Sequence, residues 1–185
     1  MRKNFGAQSW LYPMPVLLVG TYDEAGKADL MNAAWGGIYE TNQVVLSLSH
    51  SHKTTKNIQA TGAFTVSIAD AKHVTDADYV GIVSANTTPD KLEKAGLHAE
   101  ASTFVKAPLF REFPMTLECK LVKFNEDGNV IGEIVNVSAD DSILDAEGKI
   151  DPDKLEPIAF DSVHHTYRKL GEVVGAAFSD GKKLQ

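Results

Sequence analysis

Short apolar strands, glycine-bearing turns between them and only brief helical stretches predict a mainly β fold. The expectation is an antiparallel barrel with helical additions rather than a doubly wound parallel sheet. Three observations carry it. Runs rich in Val, Leu and Ile recur at residues 16–22, 44–48, 63–68, 115–124 and 130–137. Turn sequences with glycine occur at residues 23–27, 125–129 and 145–148, where Asp, Asn and Gly supply the backbone shapes that hairpins need. No helical stretch is long enough to cover a parallel sheet.

In chain order, Pro13 and Pro15 deny backbone donors and favour an extended entry. Residues 16–22 read as a strand apolar enough to be buried on both faces. Residues 28–39 combine small residues, Trp35 and the pair Gly36-Gly37. They read either as a strand with a core tryptophan and a glycine bulge, or as a stretch that lets the backbone approach a flat ligand. Residues 57–60 form a short helix ended near Gly62, and residues 63–68 alternate as a strand. Residues 70–80 are expected to be helical. Residues 90–95 form another short helix, closed by Gly96. Residues 104–113 are a connecting segment. In residues 115–124, Met115, Leu117, Cys119 and Leu121 share one face, so Cys119 points into the core as a small hydrophobe. Residues 130–137 return as its hairpin partner. Residues 152–157 are a connection, residues 158–161 a last short strand, and the remainder a tail.

The composition bounds the function. The 185 residues read as one domain, 1–185, with 43% hydrophobic and 23% charged residues, ordinary for a globular protein. A formal net charge of -7 argues against a general nucleic-acid binder. One cysteine excludes a disulfide framework and a Cys-x-x-Cys motif, so redox chemistry would need a bound cofactor. The absence of a signal-like start and of a long apolar run makes the expectation a cytoplasmic protein without membrane partners. Gly20, Gly26 and Lys27 do not make a P-loop, because the spacing is one residue too long and Ala28 stands where Ser or Thr is needed. Serine-hydrolase and dinucleotide fingerprints are also absent.

The chain is organised around residues 44–58, Val-Val-Leu-Ser-Leu-Ser-His-Ser-His-Lys-Thr-Thr-Lys-Asn-Ile. A strand leads through a polar loop into a helix that Thr54 or Thr55 would cap. The free N–H groups of such a start, with Lys53, Lys56 and several hydroxyls, suit an anion, a phosphate above all. No Asp or Glu occurs in residues 41–69 of this acidic chain. The competing reading is a solvated strand-to-helix loop. Lys91, a cation in a helix's first turn, reads either as a plain surface lysine or as an anion partner.

Taken together, these stretches resemble the flavin reductase-like, FMN-binding split-barrel family, and most closely its flavoredoxin branch. The residues that carry the likeness are Tyr12-Pro13-Met14-Pro15-Val16, the turn at 23–27, Met31-Asn32-Ala33-Ala34-Trp35 and Lys53-Thr54-Thr55-Lys56-Asn57-Ile58. They continue with Asp90-Lys91, Gly132-Glu133, Tyr167, residues 170–175 and Phe178. The resemblance implies a six-stranded antiparallel Greek-key split barrel, a homodimer and one FMN per subunit near the dimer interface. It implies that Asn32, Ala33 and Trp35 line the flavin ring, and that Ser47, Leu48 and Ser49 contact it. Lys53 and Thr54 would bind the phosphate with Ser51 and His52 nearby, and Lys91 would reach the cofactor's polar end.

The implied activity is FMN-dependent electron transfer between a reduced donor, NAD(P)H or a redox protein, and an acceptor. Two departures qualify it. Family members that oxidise NAD(P)H directly often carry Gly-Asp-His where this chain has Asp127-Gly128-Asn129, and Asp29 stands where flavoredoxin-like members often have Asn. The alternatives are a flavin reductase that holds FMN loosely as a substrate, a module that binds FMN without turnover, and a metal site built from His50, His52, His164 and His165. His164, His165 and Tyr167 read either as packing of the tail or as lining of the flavin's substrate side.

Overall fold

The structure is a computed structural model and describes residues 1–185. Its early elements are β1 (Met14–Pro15), β2 (Leu17–Tyr22), β3 (Ala28–Ala33), β4 (Gly36–Glu40), β5 (Gln43–Leu46), α1 (Lys53–Thr61), β6 (Ala63–Ile68), α2 (Val74–Ile82) and α3 (Lys91–Lys94). There follow β7 (Ala99–Ala101), β8 (Pro108–Phe110), β9 (Met115–Phe124), β10 (Val130–Ala139), α4 (Pro152–Leu155), β11 (Ile158–Asp161) and β12 (Thr166–Lys169). No helix is long and apolar enough to cross a membrane.

The main sheet runs β3-β2-β6-β9-β10-β5-β4, and every neighbouring pair is antiparallel. It has seven strands, not the six implied by the resemblance. Residues 28–39, read as one stretch, break at Ala34 and Trp35 into two strands. Those strands, β3 and β4, lie at opposite ends of the strand order, yet only two residues join them. The sheet must therefore curl until its edges approach each other at this corner. The Ser47 N–H donates to the Trp35 carbonyl at 2.8 Å and pins the corner. Gly36 is needed there: a Cβ would fall 2.8 Å from the Val45 carbonyl and 3.0 Å from Leu17 Cδ1.

The curl creates two cores. Leu17, Val19, Val44, Leu46, Phe64, Val66, Cys119 and Val130 fill the inside, with Ile58 of α1 plugging one end. On the outer side Leu18 and Leu30 meet Ala77 and Val80 of α2, Phe110 of β8 and Ile158 of β11. Strand β2 is thus buried on both faces, as its sequence predicts. Phe64 is fully buried, and truncating such a ring to alanine costs about 3–5 kcal/mol.

Several local expectations change. The helix expected over 70–80 starts later, at Val74, because Asp70 accepts from the backbone N–H and ring Nδ1 of His73 and shapes a turn first. The connection at 152–157 contains α4, started by Pro152 and capped by the Asp151 carboxylate. The segment 104–113 contributes β8, which pairs with β7. The tail contributes β12, which closes a hairpin on β11. Strand β9 is buried on both faces near its start: Thr116 and Glu118 are nearly as enclosed as Cys119. Glu118 is satisfied there by the Ser102 hydroxyl and by Asn136 Nδ2.

Candidate functional site

Helix α1 is the centre of the site. Its inward face carries Thr54, Thr55, Asn57 and Ile58, all buried. Asn57 Nδ2 donates to the Thr21 hydroxyl at 3.0 Å and fixes the helix against β2. Gly62, with φ of 70°, ends it in a left-handed cap whose N–H returns to the Ile58 carbonyl.

The start of α1 differs from expectation. Neither threonine caps it. His52 occupies the N-cap position in extended conformation, and no side chain caps the turn. The Thr54 hydroxyl donates to Asp29 Oδ2 at 2.8 Å, and the Thr55 hydroxyl donates to the Ser49 carbonyl at 2.8 Å. The first intrahelical bond runs from the Lys56 N–H to the His52 carbonyl. The N–H groups of Lys53, Thr54 and Thr55 therefore precede any intrahelical acceptor, as at every helix start, and they carry the positive end of the helix dipole.

A pocket of about 220 Å³ opens at this turn. Asp29, Met31 and Asn32 come from β3, Lys53 and Thr54 from α1, and His52 from its N-cap. Residues 80–85 at the end of α2, together with Lys91, close the other side. His52 Nδ1 is buried here without a hydrogen-bond partner. Lys53 Nζ lies 3.4 Å from Asp23 Oδ2. The Asp23 carboxyl is held below its ordinary value, first by the Lys27 backbone N–H and further by Lys53. Asn86 Nδ2 donates to the Ser51 carbonyl at 3.3 Å and ties the loop after α2 to the loop before α1.

Lys91 is not a surface lysine. It is 3% exposed, with its ammonium 3.0 Å from Asp29 Oδ1. It also donates to the carbonyls of Val83, at 3.3 Å, and Val80, at 3.5 Å.

Of the remaining expected residues, Trp35 and Ser47 fall on a second opening. A cleft of about 800 Å³ is lined by Trp10 and Leu11 of the N-terminal arm, the corner Ala34-Trp35-Gly36, and Ser47. Pocket and cleft border the same two stretches: β3 with its corner supplies Asn32 to one and Trp35 to the other, and the loop before α1 supplies His52 and Ser47. Ala33 and Leu48 between them are buried in the inner core. Ser49 and Ser51 are exposed in the loop, their hydroxyls 2.8 Å apart. Asn129 of the β9–β10 turn also lines the cleft. His50 lies against that turn: a Cβ on Gly128 would fall 2.9 Å from its Cε1.

The histidines are not gathered. No three His, Cys, Asp or Glu side chains converge on a possible metal position. His164 Nδ1 bonds Asp161 at 2.9 Å and His165 stacks on Phe160, so both pack the β11–β12 hairpin. The Tyr167 hydroxyl donates to Asp78 at 2.7 Å. Its pKa is pushed up to about 12 by burial and by that carboxylate.

The residues present fit a phosphate-bearing flat ligand. An uncapped helix start, Lys53, Lys91 and the Asp29 paired with it line the pocket, His52 lines it with its Nδ1 buried and unpartnered, and an apolar cleft with an exposed tryptophan adjoins it. The sequence singled out Asp29 as a departure and Lys91 as a cation misplaced for a helix start, but not their pairing with each other and with Thr54. It held no signal for Asp23, the loop 83–86 or the arm as partners of this site.

The family described as flavin reductase like domain matches residues 9–159. The chain belongs to the flavin reductase-like family. It is similar to the flavoredoxin of Desulfovibrio vulgaris (Miyazaki F), with 39% identity and a TM-score of 0.94 over 98% of this chain and 100% of that one. A flavoredoxin from Methanosarcina acetivorans is 27% identical, with a TM-score of 0.89 and full coverage, 100% of each chain. A putative flavin reductase with a split barrel domain from Shewanella frigidimarina NCIMB 400 shares the fold at 22% identity. Its TM-score is 0.78 over 90% of this chain and 86% of that one. Recognition of the family and its flavoredoxin branch from sequence therefore holds.

Proposed function

We propose that this flavin reductase-like protein binds FMN and passes electrons through it, from NAD(P)H or a redox protein to an acceptor. The observation that carries the reading is the uncapped first turn of α1, which opens with Lys53 and His52 into a pocket beside an apolar cleft. The N–H groups of Lys53, Thr54 and Thr55 and the Lys53 ammonium would hold the phosphate. The Thr54 hydroxyl proton is already engaged by Asp29, so Thr54 would serve through its backbone. Asn32 and Trp35, at the two ends of the β3 corner, would face the ring. Bound flavin supplies the redox chemistry, accepting a hydride or single electrons. The chain's part is to position the ring, shield it and set the charge around it.

The phosphate assignment has a direct test. Lys53→Ala should weaken FMN binding by about 10-fold and leave riboflavin, which lacks the phosphate, nearly unchanged in the same fluorescence titration. Equal losses for both ligands would move the phosphate elsewhere. Anaerobic mixing with NADH, NADPH and a reduced redox protein distinguishes the two donor classes.

We also infer a homodimer, which the exposed apolar surface supports. Trp35, just before the edge strand β4, and Ile38 and Tyr39 on it are exposed, and Val173, Val174, Phe178 and Leu184 of the tail are more than nine-tenths exposed. One chain thus carries both an apolar cleft and an apolar segment without a seat, and a two-fold pair can satisfy both. Light scattering should give twice the chain mass at micromolar concentration; a monomer there would refute the pairing.

A further inference from the structure

The pocket sits between two helix ends of opposite sign. The start of α1 favours an anion. The end of α2, whose Val80 and Val83 carbonyls close the other wall, disfavours one. The Lys91 ammonium fills the space against those two carbonyls. It is fixed there by Asp29, whose other oxygen accepts from Thr54 in the first turn of α1. Asp29, Lys91 and Thr54 are each nearly or wholly buried.

We propose that Lys91 is a positioning residue that masks the carbonyl end of α2, and that Asp29 holds it in that place. Lys91 is then not a direct ligand of the phosphate. The pair is one neutral unit, and it makes a pocket with a helix carboxyl end in its wall acceptable to an anion. Its carboxylate also keeps the Thr54 turn docked on β3, so the separation of the two walls depends on both residues. This rests on the reading that a flavin phosphate lies at the start of α1.

A double-mutant cycle measures the coupling between Lys91 and Asp29 on which the proposal depends. Lys91→Met leaves a buried carboxylate unpaired beside the pocket, and FMN binding should fall by on the order of 100-fold. Asp29→Asn in the same chain removes that repulsion, so the double variant should bind FMN within about 10-fold of the parent. A double variant as weak as Lys91→Met overturns the proposal. Thermal unfolding of the FMN-free proteins gives a second cycle. The midpoint should drop for Lys91→Met and recover in the double variant; additive losses would overturn the pairing. This cycle needs no flavin, and parent protein that failed to bind FMN would contradict the phosphate reading alone.

Discussion

At the scale of single residues, side chains near α1 owe their roles to neighbours far away in sequence. Thr54 is a good N-cap by type, yet its hydroxyl turns inward because Asp29 offers a buried acceptor at 2.8 Å. Such a choice depends on β3 packing beneath the helix and is invisible in a local reading. Lys91 is similar: its conflict with a helix start was legible, whereas its burial against Asp29 required the register of β3 and the end of α2. Cys119 was legible, because alternation along β9 places it inside without knowledge of the partner strand. Burial pushes its thiol up to about 12, and the thiolate is the reactive form. Folded protein at pH 8 should therefore resist a thiol reagent, and unfolded protein should react with one equivalent. Rapid labelling of the folded protein would contradict the packing.

At the scale of elements, Asp161 joins three pieces of chain. At the end of β11 it accepts from the Tyr12 hydroxyl, from His164 Nδ1 at 2.9 Å, from Arg168 Nε at 3.2 Å and from the N–H groups of Val163 and His164. The Tyr12 hydrogen bond above all, with His164, holds its carboxyl well below the ordinary 3.8. A carboxylate with a depressed folded pKa stabilises the fold in full above its unfolded pKa, and that contribution is lost as pH falls toward the folded value. Asp161→Asn should therefore lower stability at neutral pH and flatten the loss of stability below about pH 4. Urea unfolding across pH 2 to 7 reads this; an unchanged acid limb would remove Asp161 from its anchoring role. Tyr12 continues the arm that carries Trp10 and Leu11 to the cleft, so the same anchor shapes the site. Strands β2, β6, β9 and β10 were legible because each is long, apolar and bounded by turn residues. Strand β12 and the β7–β8 pair were not, since strands of three or four residues are defined by the partners they meet rather than by their own pattern.

At the scale of the whole molecule, the antiparallel, mainly β character followed from the turns, but the strand count did not. The break at Ala34-Trp35 is set by closure of the sheet, which sends β3 and β4 to opposite edges. That closure also places the uncapped start of α1 beside an apolar cleft, and the proposed function depends on their adjacency. The central claim is that this adjacency retains FMN. The most direct measurement is the visible absorption spectrum of the purified protein, taken after incubation with FMN and desalting. The account predicts a retained two-band flavin spectrum with close to one FMN per chain, reduced about 10-fold or more in affinity by Lys53→Ala. Protein that emerges colourless, with all FMN in the small-molecule fraction, would contradict retention and leave FMN at most a passing substrate.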